Sequence, residues 1–405
     1  MRILKSSFAV VERRAEHATR FFYSHLFWHH PELRGLFPAS AEEMERQRDR
    51  LFAALTHVIA HLDSESLLPY LRDLGRDHRK FMAGPEQYAA VGTSLLAALA
   101  EAAGEAWTPA VARAWAEAYR VIAGVMTAAA EQSEDPPWWD AEVVRRLRYG
   151  RDLAVLTLRP HAPLGYRPGQ YVSVSSDRAP AAWRTYSLGN APRPDGTVDL
   201  HVSRIEGGRL STVLVGGTDP GEVLRLGAPG GGLTLRREGR PVTFIAAGTG
   251  WAPVRALLEE LAQHPPDQGV RLFVLARDAA HLYDQAFIDA YAAAFGWLTV
   301  TCVTPAPGQH RNGATARLAA ALGHCGPWWE QDVYLSGPAQ FIQETARLLE
   351  GLGAHPMHVF HDTVPVPGAG GGHGPDGRPL GFGEWFLSRP SPHWHNPAAR
   401  APRRP

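Results

Sequence analysis

Apolar positions in the first 135 residues recur at helical spacing, and glycine is sparse there. Met44, Leu51, Leu55, Val58, Ile59 and Leu62 fall on one helical face. Ser40, with Glu43 three positions on, predicts a capping box at the start of that helix. Pro31, Pro38, Pro69, Pro85 and Pro109 stand where helices start or turn. The pattern predicts an all-α domain over 1–135. It changes near Glu134-Asp-Pro-Pro-Trp-Trp-Asp140, after which short β runs follow at Leu153–Leu158, Tyr171–Val174, Val198–Val202 and Val223–Leu226. Turns rich in Gly, Pro and Asp separate them, which predicts a small antiparallel β-barrel over 136–239. From Pro241 the alternation is strand, helix, strand. Val242–Ala246, Val270–Leu275, Leu298–Cys302 and Val333–Leu335 read as buried parallel strands. Val254–Gln263, Ala286–Phe295 and Ala339–Leu352 read as the crossover helices of a doubly wound α/β domain over 240–364. The stretch 365–405 is rich in Gly, Pro and His, carries no acid after Glu384, and is expected to be disordered. The expected fold is therefore multidomain: all-α, then β-barrel, then α/β.

Composition narrows the function. At roughly 150 residues per domain, 405 residues suggest two or three domains. Lys plus Arg and Asp plus Glu are both 41, so there is no basic excess to attract a nucleic acid or a membrane surface. Two cysteines, Cys302 and Cys325, are too few for a disulfide framework or an iron–sulfur cluster. The opening Met1-Arg-Ile-Leu-Lys-Ser-Ser leads into an amphipathic segment without the apolar core of a signal peptide. No stretch is apolar for long enough to span a bilayer. The expected location is a reducing cytoplasm.

His78 follows Leu71 and Leu74 at helical spacing. A lone histidine on such a face is more often packed than functional. Its company changes the balance. Tyr23 sits in a helix whose apolar face includes Phe22, Leu26 and Phe27, Phe37 ends the run from His30, and Gln47 and Leu51 share a face at i, i+4. With Phe21–Phe27, His30–Phe37, Gln47–Phe52, Leu74–Phe81 and Gly84–Gly92, residues 1–135 resemble the globin domain of flavohaemoglobins, the nitric oxide dioxygenases. The resemblance implies haem b, with His78 as the proximal iron ligand and Phe37 packed on the porphyrin. It implies that Tyr23 and Gln47 face the distal side, with Leu51 crowding the ligand. Neutral imidazole binds iron through one nitrogen, and Tyr and Gln are suitable donors to a ligand that takes on negative charge. Tyr88 matches the family's proximal tyrosine. The family's proximal carboxylate position falls on Ala130, with Glu131 next to it, and Asp77 stands where a lysine is common.

Tyr166-Arg-Pro-Gly-Gln-Tyr-Val-Ser173 and Arg184-Thr185-Tyr186-Ser187-Leu188 resemble the FAD-binding barrel of the ferredoxin-reductase superfamily. In isolation the second motif reads equally well as a polar strand end. In the family's pattern Arg184 pairs a pyrophosphate oxygen, Tyr186 lies on the isoalloxazine, Ser187 bonds its N5, and Tyr171 packs near the flavin or its adenine side. Gly208 and Ser211, in Gly207-Gly-Arg-Leu-Ser-Thr212, open an apolar helix whose backbone N–H groups suit a phosphate; a plain cap by Ser211 is the simpler reading. Gly248-Thr249-Gly250-Trp251-Ala252-Pro253 follows a strand and opens a helix, as a dinucleotide pyrophosphate site does. Ser336-Gly337-Pro338 matches the family's signature beside the nicotinamide, with Ser336 where cysteine is usual. Arg277 is a candidate contact to an adenosine phosphate, and the choice between NADH and NADPH stays open. His358-Val-Phe-His-Asp362 does not match the usual aromatic terminus over the flavin. The resemblance covers about residues 1–364 and leans toward an actinobacterial globin–reductase branch.

The expected function is a nitric oxide dioxygenase that moves electrons from NAD(P)H through FAD to haem and converts NO plus O₂ to nitrate. Two rivals remain: a reductase serving another redox protein as acceptor, favoured by Ala130, Asp77 and Ser336, and a non-catalytic O₂/NO-binding sensor globin, disfavoured by the flavin and nicotinamide motifs.

Overall fold

The computed structural model describes residues 1–362 apart from 39, 66, 279–280 and 306–311; the expectation of disorder over 365–405 lies outside the described residues. The chain forms two compact units that divide at Trp138/Trp139.

The first unit is helical. Its helices are α1 (Arg2–Glu12), α2 (Ala15–His29), α3 (Ala41–Ala60), α4 (Leu67–His78), α5 (Pro85–Ala103) and α6 (Pro109–Glu131). The helix starts follow local rules. Ser40 Oγ accepts from Glu43 N at 3.3 Å, and Glu43 carboxylate takes the Ser40 hydroxyl at 3.4 Å. Thr108 Oγ1 accepts from Val111 N, with Pro109 at the first helical position. Leu4, Phe8 and Val11 of α1, Phe22 and Leu26 of α2, Phe52 of α3, Leu99 of α5 and Trp115 of α6 close one core. A smaller cluster, Val58, Leu71 and Met126 with Leu74 and Tyr88 against it, joins α3, α4 and α6. α4 and α6 cross at near backbone contact: a Cβ on Gly75 would run into the Met126 carbonyl.

The second unit opens with a six-stranded antiparallel sheet of β1 (Trp139–Tyr149), β2 (Leu153–Pro160), β3 (Tyr171–Ser176), β4 (Ala179–Ser187), β5 (Val198–Ser203) and β6 (Val223–Leu226), with α7 (Arg209–Gly216) between β5 and β6. The order is β4-β3-β6-β1-β2-β5. A bridge between Leu188 and Leu200 brings the edge strands together at one end, so the sheet curls into a half-barrel. Leu156, Leu158, Val172, Val174, Leu200 and Leu224 fill it, and Leu210 and Leu214 of α7 pack into the same core. Two strands, β1 and β4, go beyond the runs predicted from the sequence. β1 carries Glu, Arg and a bulge between Val143 and Arg145 that interrupt its alternation.

A five-stranded parallel sheet follows: β7 (Val242–Ala247), β8 (Val270–Leu275), β9 (Leu298–Val303), β10 (Asp332–Ser336) and β11 (Val359–Phe360), in the order β11-β10-β7-β8-β9. Alternate residues of the strands face opposite helix layers. Phe244 and Ala246 meet α8 (Trp251–Gln263) and α9 (Gln285–Ala294). Ile245, Val333 and Leu335 meet α10 (Asn312–Gly323) and α11 (Ala339–Gly351). This is the expected doubly wound layer. The strand order reverses between β7 and β10, and crevices at such switch points take ligands. Among the described residues no helix is long and apolar enough to cross a membrane.

Candidate redox sites

α4 ends at His78, followed by a tight turn over Arg79–Phe81 and a left-handed Met82. His78 Nδ1 lies 2.7 Å from the Leu74 carbonyl oxygen, which can only accept. The imidazole proton is therefore on Nδ1, and Nε2 keeps its lone pair for a metal. Burial lowers the His78 pKa, with Leu74 and Asp77 opposing, and so favours the neutral ligand form. Phe81 and Tyr88 flank the ring, with centroids at 5.8 and 6.5 Å. The Tyr88 hydroxyl is buried without a hydrogen-bond partner. Ala130 is half-buried and Glu131 points to solvent, so α6 brings no carboxylate to that hydroxyl from either position.

On α2, Tyr23 is 4% exposed among the rings of Phe22, Phe27 and Phe37. Its hydroxyl donates to the Gln47 main-chain carbonyl at 3.5 Å, the long limit of a hydrogen bond. Burial pushes its pKa up, outweighing the opposing effects of Gln47, Arg48 and Arg50, so it remains a donor. Leu51, one turn beyond Gln47 on α3, packs on the same core as Phe27 and Phe37. The fold thus holds an aromatic-lined tyrosine and, at His78, an imidazole whose Nε2 is left for a metal in one helical unit, which suits a porphyrin iron held from one side.

In the half-barrel, β3 and β4 pair Tyr171 with Ser187, Val172 with Tyr186, Ser173 with Thr185 and Val174 with Arg184. Arg184 and Tyr186 therefore share one face of β4, and Thr185 and Ser187 the other. The Tyr186 ring packs on the barrel core, where burial raises its pKa. Arg184 Nη1 donates to the Trp183 carbonyl at 2.9 Å. Tyr171 makes two backbone hydrogen bonds with Gly230 at 2.9 Å, and its ring lies over Gly230 and Gly231. Ser211 is buried and bonds within its own turn, accepting from Ile205 N at 3.1 Å and donating to the Gly208 carbonyl. Its hydroxyl is a local cap, and the Gly208 N–H is given to the Ile205 carbonyl at 2.9 Å, which leaves the first N–H groups of α7 after Gly208 as what this turn offers a phosphate.

Gly248–Gly250 and Ser336–Pro338 stand side by side at the C-terminal ends of β7 and β10, the two strands at the switch point. Gly250 sits against the Ser336 carbonyl and the Gly337 nitrogen so closely that any Cβ would displace backbone. Thr249 and Ser336 are half-buried and Gly248 and Pro338 exposed at this mouth. Trp251, Ala252 and Pro253 are buried. The Trp251 indole donates to Asp284 at 2.9 Å, so this residue presents only its backbone to a dinucleotide. The bare glycine cradle at a helix start fits a pyrophosphate.

Three family models match in the same order: Globin over 20–126, Oxidoreductase FAD-binding domain over 140–234 and Oxidoreductase NAD-binding domain over 244–347. A flavohemoprotein of Deinococcus radiodurans is 33% identical over 89% of this chain and 95% of its own length. One of Halalkalibacterium halodurans is 30% identical over 89% and 94%. The chain belongs to the flavohaemoprotein family. The crystal structure of a flavohemoglobin from Malassezia yamatoensis has the same fold, with a TM-score of 0.73 at 21% identity over 89% of this chain and 97% of that one. This flavohaemoprotein is an NAD(P)H-dependent oxidoreductase with haem, FAD and nicotinamide modules, and its electrons pass from NAD(P)H through FAD to haem.

Two residues that position these candidate sites, Gly75 and Asp362, carry little signal in the sequence. Gly75 was visible only as part of a motif, although a glycine inside a helix signals a close approach because it costs stability there. Asp362 carboxylate accepts from Gly232 N at 3.0 Å and Leu233 N at 3.3 Å, fixing the end of the parallel-sheet half beside Tyr171. A single aspartate after a short strand carries no sequence signal for that contact.

Proposed function

We propose that this flavohaemoprotein is a nitric oxide dioxygenase: NO and O₂ become nitrate, with one electron drawn from NAD(P)H per turnover. The observation that carries the reading is the pairing, in one helical unit, of a neutral histidine with a free Nε2 and a buried tyrosine donor on a long, weak hydrogen bond. Haem supplies O₂ binding and one-electron chemistry, and FAD converts a two-electron hydride into single electrons. The protein's own residues do the rest. His78 ligates, and Tyr88 stands behind it. Tyr23 and Gln47 donate to the polar ligand, while Phe37 and Leu51 exclude water. Arg184 neutralises the FAD pyrophosphate, Tyr186 and Tyr171 flank the flavin, and Thr185 and Ser187 hydrogen-bond it. The helix start capped by Gly208 and the Gly248–Pro253 and Ser336–Pro338 turns receive the phosphates and the nicotinamide. We assign residues 1–135 to haem, 136–239 to FAD and 240–364 to NAD(P)H. We assign the protein to the cytoplasm, with which two unpaired cysteines agree.

The test is stopped-flow mixing of NO with oxygenated, NADH-reduced protein. Stoichiometric nitrate is expected. The unpartnered Tyr88 hydroxyl favours one rival, a reductase whose electrons leave for another redox protein. Brisk NADH–ferricyanide turnover without nitrate formation would establish that rival instead.

A further inference from the structure

We propose that Arg255 is a positioning residue for hydride transfer: with Arg193, Asp199 and Glu259 it closes a buried ring of alternating charges across the seam between the half-barrel and the parallel-sheet half, and so holds the Gly248–Gly250 turn in register with the flavin-binding barrel.

Arg193 and Asp199 come from the barrel, the first from the loop after β4 and the second from β5. Arg255 and Glu259 lie one turn apart on α8. Arg193 reaches Asp199 at 2.8 Å, Asp199 lies 3.6 Å from Arg255, Arg255 is 3.3 Å from Glu259, and Glu259 returns to Arg193 at 3.6 Å. Two sides of this square cross the seam. The remaining oxygens are also satisfied from the barrel: Asp199 Oδ1 accepts from Thr157 Oγ1 at 2.7 Å, and Glu259 Oε2 from Ala191 N at 3.0 Å. Asp199 is 1% exposed, Arg255 12%, Glu259 13% and Arg193, at the rim, 27%. Charges removed from water this far are costly singly, and removing one leaves its neighbours uncompensated. Such a ring adds little net stability, but it tolerates only one placement of the two halves.

The ring reaches the Gly248–Gly250 turn through one carboxylate. Asp284 Oδ2 accepts from Arg255 Nη1 at 3.2 Å and from the Trp251 indole at 2.9 Å, and Trp251 directly follows Gly250. The Arg255 guanidinium also lies 4.3 Å over the Phe287 ring, which keeps it from swinging out. A second crossing bond, between His201 of β5 and the Tyr283 hydroxyl at 2.9 Å, stands next to Asp284. Hydride transfer needs the nicotinamide carbon and the flavin N5 near van der Waals contact, and a misplacement of about 1 Å costs on the order of a hundredfold in rate.

The test is anaerobic stopped-flow reduction of the flavin by NADH in the full-length holoprotein, for wild type, Arg255→Ala, Arg255→Lys and Glu259→Gln. A positioning role lowers the limiting rate at saturating NADH by about tenfold or more in Arg255→Ala. FAD content and the NADH concentration for half-saturation should stay within about twofold. Arg255→Lys, which keeps the charge but not the fork, should recover part of the loss, and the primary isotope effect with deuterated NADH should rise. If Arg255→Ala does not fold, the other two variants decide. A wild-type limiting rate in both, or a loss that appears only as weaker NADH binding or as lost FAD, overturns the proposal.

Discussion

Tyr23 and His201 are both buried, and burial acts on each in a different way. The Tyr23 hydroxyl bonds the Gln47 main-chain carbonyl at 3.5 Å, so its proton is available to a better acceptor. Tyr23→Phe should raise the O₂ off-rate of the ferrous protein by about tenfold to a hundredfold, the worth of one donor to a charged acceptor. The CO off-rate should barely change, because bound CO is much less polar; equal effects on both gases would remove Tyr23 from the distal site. His201 is a different kind of residue. It is 4% exposed, and burial, helped by Arg255 and Arg193 against Asp199, lowers its pKa to about 3. The unfolded chain takes up that proton near about pH 6.5, whereas the folded chain resists it. The stability contribution is therefore complete above about pH 6.5 and is lost as pH falls toward about 3, by on the order of a few kcal/mol. Urea denaturation across that window should show a flatter pH dependence for His201→Gln than for wild type.

Elements are placed by how closely their backbones approach. α4 carries His78 into position because Gly75 lets it lie on the Met126 carbonyl of α6. Gly75→Val would drive the helices apart one turn before His78. Haem retention should drop sharply in Gly75→Val, read as loss of Soret absorbance on gel filtration, while FAD occupancy remains near wild type. Full haem occupancy with an unchanged spectrum would show that α4 is located by its apolar face alone. The same device recurs where Gly250 meets the Ser336 carbonyl. There it brings two strand ends together instead of two helices, which is why the cradle forms at that pair of strands.

At the scale of the whole molecule, electron use and electron entry belong to separate compact units, the first Met1–Trp138 and the second the described residues that follow Trp138. Each has its own core, so damage to one site should leave the other in working order. His78→Ala should lose the Soret band and all NO consumption, yet keep FAD and near wild-type NADH–ferricyanide turnover. Loss of flavin in that variant, or a surviving five-coordinate histidine spectrum, would contradict this separation.

The order of modules was written in the sequence because it rests on local periodicity: 3.6-residue spacing before Trp138, short runs after it, and strand–helix alternation beyond Pro241. The candidate residues were legible where several chemical types cluster in short motifs, as around His78, in Arg184–Ser187 and in Gly248–Pro253. Strand β1 was not, because a bulge and its arginines break the alternation that marks a strand. Tertiary structure alone decided the rest. The tautomer of His78 depends on a carbonyl placed four residues back by helix geometry, and the unpartnered Tyr88 hydroxyl on what α6 does not bring to it. The Trp251 side chain turned out to belong to Asp284 rather than to the cofactor mouth. Arg193, Asp199, Arg255 and Glu259 look like ordinary surface charges in the sequence, since nothing local says that two sheets of one compact unit will bring them against one another. Local spacing fixes which elements form, whereas the pairing of charges distant in sequence is settled only when packed cores bring them out of water together.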